Sequence, residues 1–118
     1  MSSKEVQLAA LSSIEKSKFD YAPSWITDTQ KYFSEARNAL KKSLTIPFKS
    51  TVIISSSKAL RFGIKEGPVE AWIVATSPGK WIFFDCNRAD FGKAQGSIKD
   101  GFFSIGHRSH DILEVWLI

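Results

Sequence analysis

Residues 71–85 read Ala-Trp-Ile-Val-Ala-Thr-Ser-Pro-Gly-Lys-Trp-Ile-Phe-Phe-Asp, and this stretch decides the fold class. Two apolar runs flank Ser77-Pro78-Gly79-Lys80. Proline presets φ at the second position of a turn, and glycine accepts the positive φ that a type II turn needs at the third. The stretch is therefore a β-hairpin, with strands expected over 70–76 and 81–85. In the first strand Trp72 and Val74 alternate with Ala71, Ile73 and Ala75; in the second, Trp81 and Phe83 oppose Ile82 and Phe84. Neither strand has a polar face. Strands apolar on both sides lie inside a sheet that is covered above and below.

More strands are expected on both sides of the hairpin. Residues 59–65 alternate Leu60, Phe62 and Ile64 with Arg61, Gly63 and Lys65, which is the pattern of a strand with one wet face. Before it, Thr51-Val52-Ile53-Ile54 is β-branched, and a strand is expected over 50–56. After a long polar connection over 85–101, which has room for a short irregular strand around 91–95, strands at 102–105 and 112–118 form a last hairpin across Gly106-His107-Arg108-Ser109-His110-Asp111. The run Leu113-Glu114-Val115-Trp116-Leu117-Ile118 is apolar on both faces apart from Glu114. A strand of this kind must lie inside the sheet or be covered by another chain. A homodimer through the sheet face or this strand is accordingly expected.

The first third of the chain has helical spacing. A helix is expected over about 3–18, capped by Ser2 or Ser3, with Val6, Ala10, Leu11 and Ile14 as its apolar stripe. A second is expected over about 24–43, where Thr27 and Gln30 fit a capping box and Tyr32, Phe33, Ala36, Ala39 and Leu40 face inward. Lys41 and Lys42 fall in its last turn, where the helix dipole favours cations. Pro47 is read as the end of the helical region. The expected architecture is one α+β domain over 1–118, with two N-terminal helices packed on one face of a curved antiparallel sheet of five to six strands.

Composition narrows the function classes. The 118 residues are 43% hydrophobic and 24% charged, values that suit a packed globular chain rather than a disordered one. The net charge is +4, with no run of five like charges, and this does not specify nucleic-acid binding. Cys86 is the only cysteine, so no intrachain disulfide forms and a cytoplasmic setting is expected. No apolar stretch reaches the roughly 18 residues of a membrane span, and residues 1–8 do not read as a signal peptide.

Three groups of residues could carry chemistry. Both histidines stand in one turn with Arg108 between them, and His107 and His110 could act as general base and acid on a phosphodiester that Arg108 steadies. The same residues also make an ordinary solvated turn. Two histidines and an aspartate in one short turn fall short of a metal site, and no cofactor motif is present. Cys86 has no general base near it in sequence and reads as a half-buried residue at a strand end. The aromatics Tyr32, Phe33, Trp72, Trp81, Phe83 and Trp116 could line a ligand pocket or partner surface between helices and sheet; the plainer reading is core.

No stretch matches a family motif. Helices followed by an antiparallel meander is a layout similar to nuclear-transport-factor-like domains, small ribonuclease toxins and bacterial immunity proteins, and no residue role is carried over from it. The function expected is a non-enzymatic module that binds an apolar ligand or a protein partner, as an immunity or accessory protein does. The alternative is a small metal-independent ribonuclease using His107, Arg108 and His110.

Overall fold

The computed structural model describes residues 1–54, 67–104 and 106–118. The strand expected over 59–65, the end of the one expected over 50–56, and Ile105 lie outside the described residues. Three helices and six strands are present among those described: α1 Ser3–Glu15, α2 Thr29–Ser43, β1 Leu44–Ile54, β2 Gly67–Ser77, β3 Lys80–Asp85, β4 Asp90–Ser97, β5 Gly101–Ser104, β6 Arg108–Ser109 and α3 Ile112–Leu117. The class is α+β, with helices against a sheet.

Local chemistry explains most boundaries. The Ser2 hydroxyl accepts from the Glu5 amide while the Glu5 carboxylate accepts from the Ser2 amide, a complete capping box that starts α1. Val6, Ala10 and Ile14 are the buried stripe. In α2 the cap is Asp28 rather than Thr27: its carboxylate accepts from the Lys31 amide at 3.0 Å, and the helix begins at Thr29. Pro47 does not end a helix. It lies inside β1, in the irregular segment of the β1–β2 register between Leu44 and Phe48, where its missing N–H leaves no ladder bond unmade. The turn at Pro78-Gly79 forms as expected, with Gly79 at φ +84°.

Two features depart from the expected antiparallel sheet. β1 runs parallel to β5, pairing Val52 with Phe102 and Ile54 with Ser104, so the sheet is mixed. The ladders also close on themselves: β1 pairs β2, β2 pairs β3, β3 pairs β4, β4 pairs β5, and β5 returns to β1. The result is a five-stranded barrel, with the short β6 pairing along β4 beside β5.

Closure explains the hairpin with two apolar faces. Ala71, Ile73 and Phe83 point inward and pack with Val52, Ile54, Ala94 and Phe102 as the barrel interior. Val74, Ile82 and Phe84 point outward and pack with Phe91 under the three helices. A bulge between Ile73 and Ala75 turns Ala75 to the helix side, away from the Ala71 and Ile73 it was expected to join. Gly92 stands opposite Phe83, and a Cβ there would run into the Phe83 ring.

The segment 112–118 is a helix, not the expected strand. The Asp111 carboxylate accepts from the Leu113 amide at 3.0 Å and the Glu114 amide at 3.4 Å, which starts α3. Ile112, Leu113, Val115 and Trp116 are all buried against α1, α2 and the outer barrel wall. No helix among the described residues is long and apolar enough to cross a membrane.

Candidate functional site

The turn before α3 divides its side chains among three surroundings. Arg108 pairs with Gly92 across β6 and β4, which aims its side chain into the barrel. Its guanidinium carbon lies 5.2 Å from the Phe83 ring centroid. Its Nη2 donates to Asp85 Oδ2 at 2.7 Å and to Asp90 Oδ1 at 2.5 Å. Asp85 and Asp90 stand directly opposite each other where β3 and β4 meet, and all three side chains are at most 6% exposed. Two facing carboxylates repel in a buried setting, and the guanidinium between them offsets that repulsion. Asp85 Oδ1 also accepts from the Asn87 amide at 2.9 Å, and Asp90 Oδ2 from Arg88 Nε at 3.4 Å. Arg108 Nε and Nη1 are buried with no partner among the described residues.

His107 leaves in another direction. Its Nε2 lies 2.6 Å from Glu114 Oε2 on α3, both side chains about one-third exposed. His110 Nδ1 lies 2.7 Å from the Ala89 carbonyl. A carbonyl only accepts, so Nδ1 carries the proton and Nε2 is left for other partners. Ala89 adopts φ +52°, a left-handed conformation uncommon outside glycine. The three proposed catalytic side chains are thus engaged one with α3, one inside the barrel and one with the β3–β4 turn. Only His110 lines a cavity described below.

The six aromatics are split by the barrel wall. Phe33 and Trp116 are buried in the helix layer, with Tyr32 and Trp72 packed against it. Phe83 is in the barrel interior with Trp81 at its margin, where the Trp81 indole donates to the Gly96 carbonyl at 3.0 Å. They do not share one pocket wall. Cys86 is exposed rather than half-buried.

Two lysines sit at the C-terminal end of α3. Lys80 Nζ donates to the Trp116 carbonyl at 2.9 Å and lies 3.8 Å from the Trp116 ring centroid; Lys93 Nζ donates to the Ile118 carbonyl. Burial pushes both ammonium pKa values below the ordinary lysine range, and for Lys80 the nearby Lys93 charge adds to the effect.

A cleft of about 520 Å³ opens between the C-terminal half of α1, the Ala89 turn and the His110–Asp111 corner. Its frame is well bonded. The Ser13 hydroxyl donates to the His110 carbonyl at 3.1 Å and accepts from the Ile112 amide at 3.0 Å. The Ser17 hydroxyl donates to the Asp111 carboxylate at 2.7 Å, and the Lys18 amide reaches the same carboxylate at 3.1 Å. Phe84 and Phe91, tilted with ring centroids 5.0 Å apart, line the cleft from the barrel side. Ser12, Lys16 and Lys18 complete its wall. By spacing, Ser12 and Lys16 lie away from the apolar stripe of the first helix, and Lys18 is only the end expected for that helix. No signal along the chain marks them, because the cleft exists only once α3 docks beside α1.

Among the described residues no group of three or more histidine, cysteine, aspartate or glutamate side chains is placed to hold a metal ion. No protein-family model matches the chain, and no curated protein or solved structure compared with it does so.

Proposed function

We propose that this protein is a small non-enzymatic binding module whose ligand site is the α1–α3 cleft. The observation that carries this reading is the division of labour at the turn. His107, Arg108 and Asp111 are committed to Glu114, the buried aspartates and the α3 cap, while the adjoining cleft keeps a largely apolar lining, with Ser12, Lys16 and Lys18 at its wall. Concave sites of a few hundred Å³ with an apolar lining and a few placed polar groups are the usual form of small-ligand sites. A cytoplasmic setting, which suits the exposed thiol of Cys86, is part of the same reading.

The test is a panel of small anionic and neutral apolar compounds, read by thermal shift and by amide chemical shifts. Binders should raise Tm and move the amides of Ser12, Lys16, Phe91 and His110. Cleavage of transfer RNA by wild type, lost in both His107→Ala and His110→Ala, would overturn the binding-module reading in favour of the ribonuclease.

A protein-partner reading, homodimer included, draws on a different surface. Ile53 and Phe103 are neighbours across the parallel β1–β5 seam and are 43% and 41% exposed on the outer face. Mass in solution tests it: a dimer broken by Phe103→Lys supports this reading, and a monomer at all concentrations ends the homodimer.

A further inference from the structure

We infer that Asp100 is a site of spontaneous isoaspartate formation, and that the change falls where it loosens the β5 wall of the barrel. Of the aspartates and asparagines in the chain, only Asp100 precedes a glycine. The reaction brings the next residue's amide nitrogen onto the side-chain carboxyl carbon. A following side chain hinders that approach, and glycine has none. The other candidates are also held. Asp28 and Asp111 cap helices, and Asp85 and Asp90 are buried on Arg108. Asn38 lies inside α2, where the following amide is tied into the helix. Asp20 and Asn87 precede Tyr21 and Arg88. Asp100 stands in the turn 98–100 between β4 and β5 and is exposed. Among the described residues its carboxylate has one bond, from the Ser97 hydroxyl at 3.2 Å, which is long for such a bond. A Cβ added to Gly101 would meet nothing within 4 Å, so that side of the main chain is open. Gly101 pairs with Ser97 in the last rung of the β4–β5 ladder, and pairing with β1 begins only at Phe102. Local opening of an end rung costs least, and here it frees the Gly101 amide without parting the β1–β5 seam.

The Gly101 nitrogen gives up its proton and bonds to Asp100 Cγ. A carboxyl C–O bond breaks, one water leaves, and a succinimide ring closes. Water then opens the ring. Where it cleaves the bond between the Asp100 carbonyl carbon and the Gly101 nitrogen, the main chain continues through Cγ and is one methylene longer. The former main-chain carboxyl becomes the side group. No oxidant or second substrate takes part, and the overall mass is unchanged. β5 has little slack for the added methylene. The Gly101 carbonyl packs so closely on Gly96 that a Cβ there would run into it. Phe102, the next residue, is buried in the barrel interior opposite Val52. The added length therefore bears on the strand that closes the barrel.

The experiment ages the full chain at neutral pH and body temperature, beside a guanidinium-unfolded sample. Isoaspartate is read by enzymatic carboxyl methylation and placed by peptide fragmentation. It should accumulate at residue 100 ahead of every other aspartate and asparagine. The modified chain, once separated, should have a lower Tm and shifted amides at Gly96, Ser97, Phe102 and Phe103, with those of α2 unmoved. Asp100→Asn should convert faster through the same ring, with the loss of ammonia as its signature. Asp100→Glu, which closes a six-membered ring far more slowly, should keep its Tm on ageing. Isoaspartate forming at residue 100 in the unfolded sample and not in the folded one overturns the inference, because the fold then protects the turn. Its absence from both samples, or its first appearance elsewhere, overturns it too. A modified chain with unchanged Tm and amides overturns the effect on β5.

Discussion

At the scale of the residue, Arg108 shows how far a side chain's role depends on neighbours remote in the chain. Charged residues are rarely buried, and an arginine between two histidines in a turn reads as a surface group. Here its side chain is 3% exposed, and its partners are the aspartates where β3 ends and β4 begins. Removing one member of a buried ion pair leaves the others uncompensated, which costs more than the pair contributes when intact. Arg108→Met should therefore lower unfolding free energy by about 3–5 kcal/mol, and adding Asp85→Asn and Asp90→Asn should return part of it. Urea denaturation measures both. A loss within about 0.5 kcal/mol, the range of an ordinary surface substitution, would mean that the barrel end does not depend on this charge. His110 makes the complementary point. Its place in a turn was legible, but its fixed tautomer was not, because that depends on the carbonyl of Ala89, in the β3–β4 turn.

At the scale of the element, two helices and a hairpin were legible and one helix was not. The stripe of Val6, Ala10 and Ile14 and that of Phe33, Ala36 and Leu40 repeat at helical spacing over several turns, long enough to exclude a strand. Residues 112–118 are too few for that. An element apolar on nearly every side has no period to read, and Val115, Trp116 and Ile118 all favour strands intrinsically. What selects the helix is Asp111, which caps it, together with the apolar wall it docks on. The same carboxylate binds Ser17 and the Lys18 amide, so it serves α1 as well. The Asp28 carboxylate, by contrast, accepts only from the Lys31 amide among the described residues. Asp111→Ala should thus cost more than Asp28→Ala, towards the upper end of the roughly 0.5–2 kcal/mol range for lost caps. Thermal unfolding of the two variants side by side checks the order; equal losses would reduce Asp111 to an ordinary cap.

At the scale of the whole molecule, the deciding event is closure of the sheet. Its consequence is that the second apolar face of the central hairpin is covered by the chain itself, with Phe83 meeting Val52 and Phe102 inside the barrel. The parallel β1–β5 seam joins residues far apart in the chain, and contacts of that kind form late because loop-closure entropy opposes them. Phe102→Ala should cost about 3–5 kcal/mol and act mainly by speeding unfolding. A chevron analysis in which folding slows by the full stability loss would place the seam in the folding nucleus instead. The sequence by itself determined the helical first third, the central hairpin and its turn, and the α+β class. These rest on period and turn chemistry, which are local and written in consecutive residues. Tertiary structure decided the closed barrel, the helical fate of 112–118, the burial of Arg108 and the cleft beside His110. Each depends on contacts between segments distant in sequence, and the pattern that demands a cover does not say which part of the chain supplies it.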